Sequence, residues 1–459
     1  MSLLMTIQAA QRGLKVSSEG INVVGHNTAN ASTEGYTRRS LVTTTMHPLM
    51  RGGHWLGQGA RTHAFRRHTD SLVEQQIVDS YGSQSRSKEA FETMRLMESK
   101  LADGTDNSIV QSYQSFMNSL RQLTNDPGDT IYRSQVLDDA ENFTFAVQDT
   151  SNFMNTAKTN IKEGFANSVD DINDTIRSIA EFNRRIRQDT GTNSNSDLMD
   201  QRDQLIADLG QLVGVKVHYE PNGQATVFIN DHPAVQESNF REISYTEDSN
   251  GRPQLMLETN SGEIDITDGL GGVLGGKLDA YDAATEFTDD LDTFVTDFAT
   301  AFNTQHALGF DLSGNAGGDF FSFSTTSPST SFEVDATLLD DVTLIAAAAN
   351  ATAEFGDGGN LDDLIDIEDV KLFNSGAYNS GEFLSYTYSQ MARKVSSAEN
   401  DYERHSIRMD DMFELRSSIS GVDLDQEAMK LMEYQASYEA AARVLTVSNQ
   451  LLGELMNSV

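Results

Sequence analysis

The sequence is poor in several residue types, and each scarcity excludes a class of protein or site. It contains no cysteine, which excludes disulfide bonds, thiolate metal sites and cysteine nucleophiles. Lys and Arg number 33 against 69 Asp and Glu, and the net charge is −36. This balance argues against nucleic acid as a partner, because phosphate binding requires clustered cations. The six prolines and one tryptophan favour long helices over a loop-rich fold.

Long apolar runs are also missing. No stretch approaches the roughly 18 consecutive apolar residues that indicate a membrane-spanning helix, so we expect no membrane partner. The N-terminus has no positively charged segment ahead of an apolar one, so we expect no cleaved secretory signal. With 459 residues, the chain has room for several domains.

What the sequence does contain is a helical repeat at its C-terminal end. Apolar residues recur there at alternating spacings of four and three, which predicts a helix with a narrow apolar seam. A seam of this kind cannot bury itself, so it requires a partner helix. The predicted seam residues are Leu424, Ala428, Leu431, Tyr438, Ala442, Leu445, Leu452 and Met456.

The N-terminal end provides a matching seam, formed by Leu3, Ile7, Ala10, Leu14, Ser17, Ile21 and Val24. Residues 1–68 carry eight Lys and Arg against two acids, whereas residues 423–459 carry two against six. The two ends can therefore pair with less repulsion than two helices of one sign, although each exposed pair is worth little. The alternative is that both ends are ordinary amphipathic helices packed separately on a globular body.

The spacing of apolar residues along the sequence changes twice in the middle of the chain. No proline occurs between Pro127 and Pro221, and the pattern predicts a helix from about Thr130 to Gln188. Such a helix is about 90 Å long, which indicates a rod. Apolar residues alternate with polar ones between 215 and 267, which predicts an antiparallel β module. Helical periodicity then returns and breaks at Ser420 and Gly421, where we expect a hinge.

These patterns predict a mainly α fold with an inserted β module, built as an elongated multi-helix rod whose terminal helices pair in a coiled-coil layer. Residues 1–50 and 421–459 form that layer. The rod comprises 51–214, 271–310 and 381–420. The small β module spans 215–270, and an acidic outer region spans 311–380. There are twenty acidic residues and no Lys or Arg from Leu278 to Val370, which we interpret as a solvated face.

Two carboxylates could be misread as a catalytic pair. Asp200 and Asp203 lie three residues apart in a predicted helix, and Arg202 lies beside them. This arrangement favours a salt-bridged structural corner over a catalytic site.

The candidates for a metal site are equally weak. Four histidines between 47 and 68 lack the spacing and the glutamate of a zinc protease. Asp311, Ser313 and Asn315 begin like a calcium loop, but Ala316 stands where that loop requires glycine. We therefore expect no enzymatic activity, no metal and no cofactor.

Several motifs resemble the axial proteins of the bacterial flagellum. The N-terminal helix is followed by an Asn-rich loop that ends in Gly-Tyr-Thr-Arg at 35–38, a pattern that rod, hook and junction proteins share. Asp-Gln-Arg-Asp-Gln-Leu at 200–205 and Ser-Ile-Ser-Gly-Val-Asp-Leu-Asp at 418–425 resemble more specifically the hook-associated protein 1 family. The segment 302–321, with its closing Phe-Phe pair, is similar to the same family.

The resemblance implies a self-assembling structural subunit at the hook–filament junction outside the cell, secreted through the flagellar type III apparatus. The implied partners are further copies of the chain, the hook protein, a second hook-associated junction protein, and an export chaperone that binds the C-terminal region. Other interpretations are another axial protein (hook, rod or second junction protein), a secreted hydrolase on an axial scaffold, and an adhesin.

Overall fold

The computed structural model describes residues 3–33, 35–51, 54–101, 108–188, 195–352 and 356–457. The α-helices are α1 (Leu3–Ala29), α2 (Ser71–Leu101), α3 (Ile109–Leu123), α4 (Thr130–Gln188), α5 (Asn195–Val213), α6 (Gly272–His306), α7 (Ala336–Asp340), α8 (Gly359–Asp366), α9 (Ser380–Ser420) and α10 (Leu424–Asn457). None of these helices is long and apolar enough to cross a bilayer.

The strands are short and form small antiparallel sheets. They are β1 (Arg39–Thr45), β2 (Leu49–Arg51), β3 (His54–Leu56), β4 (Ala60–Arg67), β5 (Val215–Tyr219), β6 (Ala225–Ile229), β7 (His232–Gln236), β8 (Asn239–Phe240), β9 (Ile243–Glu247), β10 (Pro253–Thr259), β11 (Gly262–Asp265), β12 (Phe321–Ser322) and β13 (Glu333–Val334).

The two ends of the chain pack together. Gly13 lies beside Ala441, Ser17 beside Ser437, and Asn27 beside Glu427. Position numbers rise along α1 as they fall along α10, so the two helices are antiparallel. The predicted pairing of the terminal helices is confirmed, and the alternative of separately packed ends is wrong.

The rod is built from α2, α3, α4, α5, α6 and α9, which pack side by side. The prediction of one continuous helix is confirmed, because α4 has 59 residues and the predicted bounds. Its N-terminal half packs on α3 and α6 around buried phenylalanine rings, among them Phe116, Phe143, Phe298 and Phe302. Its C-terminal half packs on α5 and on the β module.

The β module consists of a four-stranded sheet in the order β5-β6-β7-β8 and a three-stranded sheet in the order β11-β10-β9. Two asparagines of α4, the buried Asn183 and the half-buried Asn173, fix the two sheets to the rod. The Asn183 amide donates to the carbonyls of Ala225 and Glu237, each at 2.7 Å. Asn173 donates to the Ile243 carbonyl at 2.8 Å and accepts from its N–H at 2.9 Å.

The acidic outer region follows α6 and is held by a buried histidine. His306 Nδ1 lies 2.7 Å from the Gly318 carbonyl, and Nε2 accepts the Ala346 N–H at 3.0 Å. This pair of contacts requires a proton on Nδ1 and a free lone pair on Nε2, so the ring is neutral. Burial lowers the pKa of His306, with a smaller lowering contribution from the Arg133 charge.

This geometry predicts acid sensitivity of the outer region. A histidine with a lowered pKa in the folded chain takes up its proton mainly on unfolding, so the free energy of unfolding falls as pH drops below about 6.5. We expect the thermal unfolding temperature to fall between pH 7.5 and 5.5, and we expect His306→Gln to reduce that slope. His218→Gln, at an exposed position, is the control and should leave the slope unchanged. Equal slopes in all three proteins would contradict the assignment.

Candidate assembly surface and polar joint

The observed seam between α1 and α10 keeps roughly every second residue of the predicted seam. At most of the remaining positions, the residue before the predicted one faces the partner helix instead. In α10, Leu431, Leu445 and Leu452 are half-buried, on the same face as the buried Glu427 and Ser448. In contrast, Leu424 is 55 % exposed, Tyr438 42 % and Met456 75 %. Leu424 and Met456 therefore lie outside the intramolecular seam. Ala442 is half-buried at its edge.

The same offset occurs in α1. Val24 is buried, as predicted, whereas Leu3, Ile7, Leu14 and Ile21 are only half-buried. Gly20 and Asn27 occupy buried positions of the seam instead. The reason is the partner's shape: the Tyr434 ring lies over Gly20, so close that an added Cβ would be 2.6 Å from it. A search for apolar residues alone misses a seam position that requires the smallest side chain.

The opposite face of α10 carries a second apolar stripe, which α1 does not cover. Its exposed residues form two groups at helical spacing, Met429 and Met432 near the start of the helix and Val444, Val447, Leu451 and Leu455 near its end. A contiguous exposed apolar surface on a soluble chain marks an interaction site more often than scattered exposed residues do. The exposed stripe of α10 is therefore a candidate interaction surface.

A buried polar contact closes the pair at its inner end. The Asn27 amide donates to the carboxylate of Glu427 and to the Arg39 carbonyl, each at 2.9 Å. Asn27 Oδ1 accepts from the Arg39 N–H at 3.0 Å and from the Tyr36 hydroxyl at 2.8 Å. Lys430 donates to the second oxygen of Glu427 at 2.9 Å. This set of contacts satisfies the buried Glu427 carboxylate, which would otherwise be costly to desolvate.

Beneath this contact lies a cluster of charges that we call the polar joint, formed by Arg39, Arg67, Asp197, Asp200, Arg202 and Asp203. Arg39 donates to Asp197 at 2.5 Å and to Asp200 at 2.7 Å. Arg67 donates to the other oxygen of Asp200 at 2.5 Å and to Asp203 at 3.0 Å. One carboxylate thus links both strands of the β1–β4 ribbon to helix α5.

Arg202 extends the polar joint into the β module. It is buried and donates to Asp203 at 2.7 Å and to the Gly223 carbonyl at 2.5 Å. Its guanidinium lies 5.5 Å from the centre of the Tyr219 ring. The expectation of a salt-bridged structural corner at 200–205 is confirmed.

A second ion pair connects the start of α2 to the end of α9. Arg416 Nε donates to Glu74 at 3.0 Å, and its side chain also reaches the Gly35 carbonyl. Burial raises the pKa of Glu74, and the Arg416 charge acts in the opposite direction. This ion pair therefore links α9 to α2 next to the polar joint.

The helix break at 420–421 lies directly beside the joint. α9 ends at Ser420, α10 begins at Leu424, and the Ser420 carbonyl accepts the Arg38 N–H at 3.0 Å. An added Cβ at Gly421 would lie 2.3 Å from the Ser417 carbonyl oxygen, so this position admits only glycine. That Ser420 and Gly421 act as a moving hinge stays a prediction.

The candidate calcium loop has a local explanation. Asp311 accepts the backbone N–H groups of Ser313 and Asn315 at 2.7 and 2.8 Å and the Asn315 amide at 3.1 Å. The carboxylate is thereby used to close a turn. Over the described part of the chain, no three His, Asp or Glu side chains are grouped so that they could hold a metal ion.

Comparisons with known proteins agree with this architecture. A model of the flagellar hook-associated protein FlgK helical domain matches residues 94–321, and a model of the flagellar basal body rod FlgEFG protein C-terminal region matches residues 416–458. The flagellar hook-associated protein 1 of Salmonella typhimurium is 25% identical over 98% of this chain and 99% of its own length. The Bacillus subtilis protein of the same name is 25% identical over 100% and 99%.

A solved structure shares the fold. The flagellar hook junction protein FlgK from Burkholderia pseudomallei superposes with a TM-score of 0.66 and 13% identity, covering 75% of this chain and 100% of that one. The two matched family models and the full-length relatives place the chain among the flagellar axial proteins. Within that class, the chain belongs to the flagellar hook-associated protein 1 family.

The polar joint can be tested at its shared carboxylate. Asp200→Asn removes the charge that both guanidinium groups share and leaves each with one charged partner, Asp197 for Arg39 and Asp203 for Arg67. Because removing a buried partner altogether costs about 3 kcal/mol or more, we expect this partial loss to cost about 1–3 kcal/mol. We expect a clear drop in the urea midpoint followed by circular dichroism. Asp231→Asn is the matched control, because its pair with Lys216 is exposed and should contribute little to stability. Equal midpoints for the two variants would contradict a structural role for the joint.

The close approach of the terminal helices can be tested with one substitution at two positions. Gly20→Leu forces the Tyr434 ring away, and overpacking of this kind costs about 1–3 kcal/mol. Gly25→Leu places the same side chain on the same helix where nothing lies within 4 Å of an added Cβ, and leucine favours the helix over glycine. Thermal unfolding should therefore show opposite shifts. A stabilising effect at both positions would mean that the Gly20 contact is not maintained.

Proposed function

We propose that this chain is a structural subunit of the bacterial flagellum that self-assembles as an adaptor between the hook and the filament. The observation that supports this most directly is that essentially the whole chain matches the flagellar hook-associated protein 1 of two bacteria. The geometry agrees with it, because a single subunit leaves the stripe of α10 uncovered. Burial of that surface in an assembly would contribute about 25 cal/mol per Å².

The proposed role is mechanical and requires no catalysis. The terminal helix pair provides the surface on which copies associate, and the residues proposed for this association are those of the predicted seam together with the exposed stripe of α10. The polar joint transmits load from this layer to the rod, because it links the β1–β4 ribbon, α5, and the β module through paired charges.

The proposed partners follow from the position in the assembly. They are further copies of this chain, the hook protein on one side and a second hook-associated junction protein on the other. An export chaperone that holds the C-terminal region fits the narrow contact of α10, in which only Glu427 and Ser448 are buried. The proposed location is the extracellular hook–filament junction, reached through type III export without a cleaved signal peptide.

Leu445→Asp tests the terminal layer as the assembly element. The new carboxylate enters the contact between α1 and α10 and costs about 2 kcal/mol or more unless the pair opens. Every copy in the assembly carries this defect, whereas the rod core does not involve Leu445. We expect near-normal thermal unfolding of the core, no incorporation at the hook tip, and filament subunits lost to the medium.

Asn449→Asp is the control, because it adds the same charge to an exposed position four residues further along α10. Glu454→Gln, which removes an exposed charge, should also be close to silent. Both are scored by electron microscopy of flagella in a strain that lacks its own copy of the gene. Normal filaments with Leu445→Asp would refute the terminal layer as the assembly element.

A further inference from the structure

The β module contains the two Asn-Gly pairs of the sequence, at 222–223 and 250–251, and each lies in a hairpin loop. An Asn-Gly pair can modify itself, because the backbone nitrogen of the glycine can attack the side-chain amide of the asparagine. Glycine permits this attack because it has no Cβ to shield its nitrogen and restricts the backbone least. The surroundings of each asparagine therefore decide which of the two pairs reacts.

The two loops have the same backbone arrangement, which makes them directly comparable. Each has three residues, Pro-Asn-Gly in one and Ser-Asn-Gly in the other, and each ends with its glycine at positive φ, +87° for Gly223 and +76° for Gly251. The Gly223 N–H donates to the Glu220 carbonyl at 2.9 Å, and the Gly251 N–H donates to the Asp248 carbonyl at 3.0 Å. Either glycine must release this bond before it reacts, so the backbone does not distinguish the two pairs.

The side chain of Asn222 is held in place. Its amide donates to Gln224 Oε1 at 2.9 Å, and its Oδ1 accepts the Gln224 N–H at 3.0 Å. Gln224 is buried, and Pro221 fixes the backbone angle ahead of the asparagine. Arg202 of the polar joint donates to the Gly223 carbonyl at 2.5 Å. Asn222 therefore has to break two hydrogen bonds before its side chain can turn toward the glycine nitrogen.

The side chain of Asn250 is free by comparison. It is exposed, and it makes no hydrogen bond within the part of the chain that the structure describes. The Asp248 carboxylate accepts the backbone N–H groups of Asn250 and Arg252 at 2.8 and 2.9 Å, so the loop is closed without the Asn250 amide. Ser249 stands where the other loop has proline. Asn250 can therefore rotate toward the Gly251 nitrogen without breaking a side-chain contact.

We propose that Asn250 is a site of spontaneous modification, at which the chain converts asparagine into aspartate or isoaspartate without an enzyme. The Gly251 nitrogen gives up its proton to water and bonds to the Asn250 Cγ, and the side-chain nitrogen takes a proton from water and leaves as ammonia. Water then opens the cyclic imide. Opening at the side-chain carbonyl gives aspartate, and opening at the main-chain carbonyl gives isoaspartate, whose backbone is one carbon longer. This inference is independent of the proposed role in assembly.

The modification weakens the contact of this loop with the rod. The Gly251 carbonyl accepts the Tyr281 hydroxyl of α6 at 2.8 Å, and Lys162 of α4 donates to the neighbouring Glu247 at 2.7 Å. Isoaspartate lengthens the backbone and moves the Gly251 carbonyl away from Tyr281. Either product also adds a carboxylate beside Asp248 and close to Glu247, and charges of like sign repel one another.

The purified full-length chain contains its own control, because both Asn-Gly pairs age in the same sample. After incubation in mildly alkaline buffer, peptide mapping by mass spectrometry should show conversion about tenfold faster at Asn250 than at Asn222, since two hydrogen bonds hold the Asn222 side chain. Equal rates, or faster conversion at Asn222, would overturn the proposal. In urea the two pairs should convert at similar rates. A difference that persisted in the unfolded chain would show that the folded surroundings do not cause it.

Asn250→Gln tests the consequence for the β module. Glutamine keeps a neutral amide at this exposed position but closes a ring much more slowly. Hydrogen exchange of β9 and β10 should become faster in the aged unmodified chain than in a fresh one, because the loop that joins these strands has lost its contact with the rod. The aged Asn250→Gln chain should exchange like its fresh counterpart. An equal increase in both aged proteins would contradict the assignment of the effect to Asn250.

Discussion

The shared carboxylate of Asp200 is the constraint on which the architecture depends. It accepts one guanidinium from each strand of the β1–β4 ribbon, so the ribbon, α5 and the terminal layer hold a defined relative position. A buried group of like charges would be prohibitive, whereas here each Arg faces at least one Asp carboxylate. Breaking such a network is costly even though its net contribution to stability is small. Its value is geometric, because it permits one arrangement of the elements that meet there.

In the terminal layer, as in the polar joint, the contacts that fix the geometry contribute little to the net stability. Within the chain, the closest contacts between α1 and α10 involve small or polar residues beside the half-buried leucines of the seam. These residues are Gly13, Ser17, Gly20 and Asn27 on one side and Tyr434, Ser437 and Ala441 on the other. Much of the apolar surface of α10 remains exposed. The pair is therefore aligned by close contact and by the Asn27–Glu427 hydrogen bond, and the exposed apolar surface of α10 remains available for further contacts.

The rod has the opposite character. Its interior is a continuous phenylalanine-rich core around α3, α4 and α6, and the β module is attached through asparagine side chains that hydrogen-bond to strand backbones. A folded rod with a sparsely buried terminal layer is suited to a subunit that must be stable alone and associative in an assembly. The membership of the hook-associated protein 1 family agrees with this distribution of free energy.

The sequence by itself determined the elements that have long, uninterrupted periodicity. The bounds of α4, the change to period two at Val215, the helix break at Ser420 and the pairing of the two ends could all be predicted, because each follows from local spacing and from the absence of proline. The charge pattern of Asp200, Arg202 and Asp203 was enough to predict ion pairing, but it did not name the partners.

Only the tertiary structure decided which face of each terminal helix meets the other. Because an α-helix has 3.6 residues per turn, two neighbouring stripes on its surface both fit a four-three spacing. Apolarity alone predicted Leu14 and Ile21 as seam residues, whereas the closely packed positions are Gly13 and Gly20. Asn27 and Glu427 lie 400 residues apart, and nothing local marks either as buried. Contacts of that separation depend on the shape and charge of the partner surface, and these exist only once the chain has folded.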